Sequence, residues 1–288
     1  MPHLRTIASY AVFPALLIGP LALSLWGHAR GIKTVPLIAG CMVVALAVEL
    51  ALERIMPYRP VWRDRRRIWS DLAFMGMGAL TSQLVDIAVL AGVVVLAIEL
   101  ADAVGASLWP HSWPLWAQFG LGVAIADFTH YWAHRTLHSV PWLWRFHQVH
   151  HRPDHLYSLN FFRMHPVDIA FKTTANLAPL VLLGAPEPVI LLWSVASGIN
   201  AGSLNHANVE SRTGWLDGIF STPTLHRWHH SRNPEEYQSN YSNITIVYDR
   251  LFGSYHNPRA TSPDEIGQPG GSYSLGRELV LPFRHIEP

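Results

Sequence analysis

The sequence predicts an all-α, multi-pass transmembrane helix bundle of about four spans plus a membrane-dipping helical hairpin, with a cytoplasmic histidine-rich helical cap. Three observations lead to this prediction. Half of the 288 residues are apolar and only 14% are charged, whereas an ordinary soluble domain carries about 25% charged residues. The mean hydropathy is +0.16, which is high for a protein that dissolves in water. Twelve of the seventeen histidines lie between His130 and His230.

The same composition excludes several classes of protein. A disordered chain combines low hydrophobicity with high charge, and this chain has the opposite composition. The formal net charge is +1, so no strong field attracts nucleic acid and no nucleic-acid partner is expected. Cys41 is the only cysteine in the sequence, which excludes an intrachain disulfide and a cluster of thiolate metal ligands.

Four apolar segments are long enough to cross a bilayer, whose hydrocarbon core of about 30 Å requires roughly 20 helical residues. A fifth apolar region is interrupted in its middle by Gly184-Ala185-Pro186-Glu187-Pro188. Because clusters of Gly and Pro break helices, this region is predicted to form the hairpin. The first span is followed by no convincing signal-peptide cleavage site, so we interpret it as a retained anchor. The spans lie near 8–26, 35–52, 72–100 and 113–132, and the hairpin at 167–202.

Six arginines lie in the segment 54–67, between the second and third spans. Lysine and arginine are concentrated in cytoplasmic loops, so this loop is predicted to be cytoplasmic. Counting spans from it places every dense histidine segment on the cytoplasmic side of a bacterial inner membrane or the endoplasmic reticulum. We therefore predict one integral-membrane domain, 1–288. Its catalytic cap comprises 134–165 and 203–256, and an extended tail at 257–288 lies over the cap.

Four short patterns contain most of the clustered histidines. Residues three and four apart share a helix face, so the imidazoles within each longer pattern can converge. In chain order the patterns are His130-Tyr-Trp-Ala-His134-Arg-Thr-Leu-His138, His147-Gln-Val-His150-His151, Asn205-His206-Ala207-Asn208 and His226-Arg-Trp-His229-His230. Clustered imidazoles repel one another when protonated and lack partners when neutral. A bound metal ion resolves both problems, since neutral imidazole is a common metal ligand.

The number of histidines indicates two metal ions. A zinc ion takes three or four protein ligands, so nine imidazoles at ligand spacing are too many for one ion. Two ions with four to five ligands each fit the number. Imidazole suits zinc, copper, iron and nickel, so the ligand type does not choose the metal. The sequence contains neither H-E-x-x-H nor G-x-S-x-G, which disfavours hydrolysis and favours redox iron and O₂.

Further short motifs surround the histidines in a fixed order. They are H-R-x-x-H (134–138), L-W-R-F-H-x-x-H-H (143–151), R-x-H-P (163–166), N-H-A-N (205–208), T-P-x-x-H-R-x-H-H-S (222–231), N-Y (240–241) and D-R-L-F-G-S-Y (249–255). With these motifs the chain resembles the fatty acid hydroxylase/sterol desaturase superfamily of membrane di-iron enzymes. The resemblance covers about 127–255 and does not choose among members.

The resemblance implies a reaction and its participants. Two iron ions act with O₂ as co-substrate to hydroxylate or desaturate a membrane lipid, such as a sterol, a fatty acyl chain, a carotenoid or a related molecule. An external electron-transfer protein, cytochrome b5-like or ferredoxin-like, supplies electrons, because the chain has no flavin, haem or iron–sulfur signature.

The resemblance also assigns site residues. Nine histidines are expected to be catalytic iron ligands: His134, His138, His147, His150, His151, His206, His226, His229 and His230. His165, in the R-x-H-P motif, is a tenth candidate metal ligand, and His130 and Glu210 are weaker alternatives. Ser139 stands where relatives that use a pterin carry a glutamate, which disfavours a pterin-dependent ether-lipid enzyme.

Acidic residues are candidate partners for the ligands, because ligating histidines usually donate their second N–H to a carboxylate or a carbonyl. The candidates are Asp127, Asp154, Asp168 and Asp249. We expect Asp127 first, since it lies in an apolar span two helical turns before His134.

Two other classes of protein remain open. One is a non-catalytic membrane metal-binding or transport protein, although a transporter places its ligands near the middle of the membrane rather than at the ends of spans. The other is a zinc-dependent membrane hydrolase, which the missing general-base glutamate and the surplus of histidines disfavour.

Overall fold

Three long helices form the first third of the chain: α1 (Pro2–His28), α2 (Thr34–Ile55) and α3 (Ile68–Val104). The computed structural model describes residues 2–63, 67–105, 107–258 and 262–284. Each of the three helices contains a stretch long and apolar enough to cross a membrane, and only 6% of that stretch in α3 is buried inside the protein. Leu84, Ile87 and Val95 on α3 are more than half exposed. Apolar surface of this extent is stable against lipid, and the chain is an integral membrane protein.

The predicted fourth span lies in α4 (Leu115–Ser139), whose 25 residues have the length to cross a bilayer. It is not among the three helices that are also apolar enough by composition. Its second half carries Asp127 and the first histidines of the cap, which lower its mean hydropathy. The count of about four spans therefore stays a prediction.

The region of the predicted hairpin contains α6 (Pro166–Leu182) and α7 (Glu187–Ala196), which are separated by a turn at Gly184 in the Gly and Pro cluster, and a membrane-dipping hairpin stays a prediction. Both helices pack against α4. Val123 of α4 shares a buried apolar cluster there with Leu180 of α6 and with Val189 and Trp193 of α7. The hairpin thereby fixes α4, which carries the first histidines.

Short helices and irregular segments make up the cap. Among the described residues no β-strand occurs, and three isolated bridges are the only β pairing there. The remaining α-helices are α5 (Pro141–His151), α8 (Pro223–His229), α9 (Pro234–Tyr237), α10 (Val247–Leu251) and α11 (Leu275–Val280). The 3-10 helices are Pro60–Arg63, Ser158–Phe162, Gly214–Gly218 and Leu281–Phe283, and Ser197–Leu204 is π-helical.

The tail packs on the cap but is not wholly extended, which corrects the prediction. Leu275–Val280 form α11, and the ring of Phe283 lies 5.4 Å from the ring of Phe146 on α5. Buried Glu278 forms an ion pair with Arg152 at 3.1 Å. Parts of two predicted segments, 64–66 in the arginine-rich loop and 259–261 and 285–288 in the tail, lie outside the described residues.

Gly267 couples the tail to a predicted metal ligand. Its backbone N–H donates to the carbonyl of His230 at 3.0 Å. Its φ of +88° is in the left-handed region, and an added Cβ would lie 2.3 Å from the carbonyl oxygen of Pro153. Both features require glycine, because the backbone of Pro153 cannot yield as a side chain can.

We expect Gly267→Ala to lower the free energy of unfolding by at least about 2 kcal/mol, from left-handed strain and the steric clash together. Denaturant unfolding in detergent measures the change. Gly276→Ala, on α11 where a Cβ would meet open space, is the matched control and should leave stability close to that of the parent protein. Equal stability of the two variants would contradict the requirement for glycine at position 267.

Candidate metal centre

The structure gathers nine of the predicted histidines into two buried groups. The five-histidine group comprises His134, His138, His147, His151 and His229. The four-histidine group comprises His150, His206, His226 and His230. Within each group the candidate ligand atoms all lie within 4.8 Å of one another. The groups adjoin, since the rings of His151 and His230 stack at 4.4 Å between centroids.

Within each H-x-x-H-H pattern, the histidines divide between the two groups. In α5, His147 and His151 are four residues apart and join one group, whereas His150 joins the other. The same rule holds from α8 onward, where residues 226 and 230 share the four-histidine group and His229 belongs to the five-histidine group. Each residue advances about 100° around a helix, so position i+4 lies about 40° to one side of position i and position i+3 lies about 60° to the other, which sets the i+3 and i+4 side chains about 100° apart. Each H-x-x-H-H pattern therefore contributes to both groups.

Hydrogen bonds fix the orientation of three rings in the five-histidine group. The Nδ1–H of His134 donates to the carbonyl of Tyr241 at 2.8 Å, and that of His229 to the carbonyl of Ser239 at 2.7 Å. The Nδ1 of His147 lies 3.0 Å from the Asp168 carboxylate. A carbonyl or carboxylate oxygen accepts only, so Nδ1 carries the proton in each ring. In the neutral imidazole, Nε2 then carries a lone pair and no proton.

These lone pairs point at one another. The Nε2 of His134 lies 3.0 Å from that of His147 and 3.1 Å from that of His229. The Nε2 atoms of His147 and His151 are 3.2 Å apart. Two lone pairs cannot form a hydrogen bond with each other, whereas a cation between them would attract both. Nitrogens bound to one ion at about 2.0–2.1 Å and at right angles lie about 3 Å apart. The donor set therefore fits a metal ion.

The four-histidine group shows the same convergence. The Nε2 of His226 lies 3.3 Å from that of His206 and 3.1 Å from that of His230. The Nδ1–H of His206 donates to the carbonyl of Gly202 at 2.9 Å. Gly202 lies in the π-helical segment, where its non-helical backbone turns the carbonyl towards the ring. Short π-helical segments occur frequently at functional sites.

Burial keeps these imidazoles neutral, which is the form that binds metal. Burial lowers the pKa of His206 to about 4. Burial first and neighbouring imidazoles second hold the pKa of His138 and of His230 well below that of an ordinary histidine. Buried polar atoms normally have partners. Both ring nitrogens of His138 have none among the described residues, and a bound ion would satisfy one of them.

The ligand partners differ from the expectation. Of the four acidic candidates, only Asp168 contacts a predicted ligand, and it also pairs with Lys172 at 3.3 Å. Asp127, expected first, accepts backbone N–H groups of Ile244 and Thr245 instead. Asp249 likewise accepts backbone groups, and Asp154 pairs with His155 at 2.7 Å on the surface. Spacing along a helix could not show that a loop lies between Asp127 and the ligands.

Three further candidates lie outside both groups. His165 occupies the position before α6, where its Nδ1 accepts the N–H of Val167 at 3.1 Å and caps the helix. His130 faces Asn176 at 3.2 Å. Glu210 forms an ion pair with Arg5 at 2.8 Å, part-exposed to solvent. None of the three is brought to a metal group in the part of the chain that the structure describes.

The comparisons with known proteins agree with this geometry. The sequence model of the fatty acid hydroxylase family matches residues 119–254, which include all nine grouped histidines. The ornithine lipid hydroxylase OlsE of Rhizobium tropici is 40% identical over 245 residues, which are 83% of this chain and 73% of that protein. The chain belongs to the fatty acid hydroxylase family. No solved structure matches it.

Other relatives match this chain only in part. An alkylglycerol monooxygenase of Danio rerio is 34% identical over 147 residues, which are 51% of this chain and 31% of that protein. The very-long-chain aldehyde decarbonylase GL1-8 of Oryza sativa subsp. indica is 29% identical over 53% of this chain and 57% of that protein. The chain is thus a lipid-modifying oxidoreductase of the membrane.

The sequence did not indicate the backbone carbonyls that orient the grouped histidines. Ser239, Tyr241 and Gly202 provide them, and a carbonyl is present at every residue, so composition gives no signal. The one available sign was the N-Y motif. Asn240 adopts a left-handed φ of 53°, and its side chain donates to the carbonyls of Leu225 and His256.

Aromatic rings close the outer side of the five-histidine group. Trp144 stacks on Tyr237 with 5.2 Å between centroids, and its ring lies 4.9 Å from that of His138. Phe161 lies 5.8 Å from His206 in the other group. Apolar walls of this kind keep water from an oxidising centre.

Proposed function

We propose that this chain is an O₂-dependent di-iron oxygenase that hydroxylates a membrane lipid, with one iron held by each histidine group. The convergence of neutral Nε2 lone pairs in two adjoining groups is the observation that carries the proposal. Bound iron supplies the redox capacity to activate O₂ towards an unactivated C–H bond. Hydroxylation consumes one O₂, two electrons and two protons, and it yields the alcohol and one water.

The protein's own residues provide ligands, orientation and shelter. His134, His147 and His229 are held by their Nδ1 partners, so their lone pairs need little reorganisation when an ion binds. The low pKa of the buried imidazoles keeps protons from competing with the metal at neutral pH. The rings of Trp144 and Tyr237 exclude water from the five-histidine group.

Contacts between the arginine-rich loop and the cap support a cytoplasmic location for the two histidine groups. The backbone N–H of Arg59 donates to the Asn208 side chain at 2.9 Å, two residues after His206. The loop that carries six arginines therefore lies at the same end of the bundle as the histidines, and arginine-rich loops are typically cytoplasmic. We propose a bacterial inner membrane or the endoplasmic reticulum. A soluble ferredoxin-like or cytochrome b5-like carrier would then reach the centre from the cytoplasm.

The relative that matches most of the chain suggests the first substrate to test. An ornithine lipid, the substrate after which the Rhizobium tropici relative is named, is proposed because that match covers 83% of this chain. Among the reactions of the superfamily, the same relative favours hydroxylation over desaturation. An alkylglycerol is the second substrate to test, since that match covers about half of the chain.

Lipid turnover by purified, iron-loaded protein tests the proposal. The assay contains detergent-solubilised protein, a ferredoxin with its reductase, ¹⁸O₂ and ornithine lipid, and mass spectrometry follows the lipid. The expected product carries one ¹⁸O atom and forms only with iron and O₂. Loss of two hydrogens without added oxygen would show a desaturase instead. Lipid cleavage independent of O₂, with zinc retained, would support the hydrolase. Bound metal without turnover of any lipid would support the metal-binding protein.

A further inference from the structure

Two buried carboxylates, neither of which contacts a histidine, hold a segment of the chain. The carbonyls of this segment orient two of the grouped histidines. Asp127 on α4 and Asp249 on α10 are both fully buried. Asp249 accepts the backbone N–H groups of Tyr241 and Ser242, each at 2.8 Å, one on each carboxylate oxygen. Asp127 accepts those of Ile244 at 3.2 Å and Thr245 at 2.7 Å. Four N–H groups of one short stretch are thus bound by two side chains.

This stretch, Ser239–Thr245, is called here the orienting segment. It has no helix and no strand, and its one bridge pairs Thr245 with Phe220. Its position therefore depends on contacts with other parts of the chain, namely the backbone bonds of Asn240 to Ser254 and of Ser221 to Ile244, and side chains that bind its backbone. Buried backbone N–H groups require acceptors, and a carboxylate is a strong one. Asp127 and Asp249 supply these acceptors from two different helices, one at each end of the segment.

The orienting segment points its carbonyls at the five-histidine group. The Ser239 carbonyl accepts the Nδ1–H of His229, and the Tyr241 carbonyl accepts that of His134. These two ligands come from α8 and α4, so the segment aligns rings from separate helices. In the described residues, no hydrogen bond from this segment reaches the four-histidine group, whose His206 is oriented by Gly202.

We propose that Asp127 and Asp249 are positioning residues for the metal ion of the five-histidine group alone, acting through the orienting segment. This inference rests on the proposed function, because it requires that the group binds an ion. The inference predicts that loss of either carboxylate affects the two histidine groups unequally. Loss of either carboxylate frees the carbonyls that fix the His134 and His229 rings, and it leaves the four-histidine group unaffected. Residues that orient metal ligands typically contribute about 10–100-fold in metal affinity.

The test measures how fast each ion leaves. Asp249→Asn is placed in a His206→Ala background, which keeps only the five-histidine ion, and in a His138→Ala background, which keeps only the four-histidine ion. Iron-loaded protein is challenged with a chelator, and iron release is followed by absorbance. We expect release about 10–100-fold faster in the first background and unchanged release in the second. Asp127→Asn, at the other end of the segment, should repeat the pattern.

A conservative control removes one side-chain bond to Asp249 and keeps its backbone bonds. Ser254→Ala removes the hydroxyl that donates to Asp249 at 2.7 Å. This variant should release iron at the parent rate. Equal acceleration in the two backgrounds would show general loosening and overturn the inference, as would unchanged release from the five-histidine group. A parent protein without iron would refute the proposed function itself.

Discussion

Replacing His229 by alanine is expected to remove the metal ion of the five-histidine group and to lower lipid turnover by more than about 100-fold, beyond the typical effect of losing a residue that only orients a ligand. The Nε2 of His229 lies 3.1 Å from that of His134, among the converging lone pairs. Its removal opens the group and leaves a cavity that water can enter. Iron analysis together with the lipid assay measures both changes.

His150→Ala is expected to have the same effect on turnover through the other ion. His150 belongs to the four-histidine group, although it lies next to His151 of the first group. Each single variant should keep about one iron per chain, because the remaining group is complete. His155→Ala is the matched control, since His155 pairs with Asp154 at the surface and belongs to neither group. Two irons and full turnover in either ligand variant would contradict the assignment.

Replacing Asp168 by alanine is expected to weaken both metal binding and the fold. Asp168 is fully buried between the Nδ1 of His147 at 3.0 Å and the ammonium of Lys172 at 3.3 Å. Without the carboxylate the His147 ring loses its orientation, which typically costs about 10–100-fold in metal affinity. Lys172, only 14% exposed, loses its counter-ion. Breaking a buried pair in this way costs about 3–5 kcal/mol of stability.

Asp168→Asn separates the two effects. An asparagine oxygen still accepts the Nδ1–H of His147, so this variant should release iron more slowly than Asp168→Ala. It carries no charge for Lys172, so its stability should fall nearly as far. Chelator challenge and denaturant unfolding measure the two quantities. Asp154→Asn changes an exposed carboxylate beside a histidine outside both groups and should alter neither. Parent-like behaviour of Asp168→Ala would refute the role of Asp168.

The sequence indicated the helical class because apolar length and low charge are local properties. The helices α1, α2 and α3 contain the first three predicted apolar runs. A break between α6 and α7 occurs at the Gly and Pro cluster, as the sequence predicted. The tail differs: α11 forms where an extended segment was expected. Ion pairs of Glu278 with residues far along the chain hold it there, and no local pattern indicates such contacts.

The partner of Asp127 could not be predicted from the local sequence. The buried position of Asp127 in an apolar helix predicted a polar partner, and it has one, but the partner is the backbone of a segment more than a hundred residues away. Asp168 was one of four candidates of similar sequence context. Only its position at the start of α6, which packs against α4 and contacts α5, brings it to His147.

The sequence by itself indicated a metal-binding membrane protein, because nine clustered histidines in an apolar chain leave few uses other than metal binding. It also predicted two ions, since the number of candidate ligands exceeds what one ion takes. Only the tertiary structure decided how the nine divide into five and four. That division depends on which way each helix faces once α4, α5 and α8 have packed. Which carbonyls hold the rings likewise depends on contacts between segments far apart in the chain.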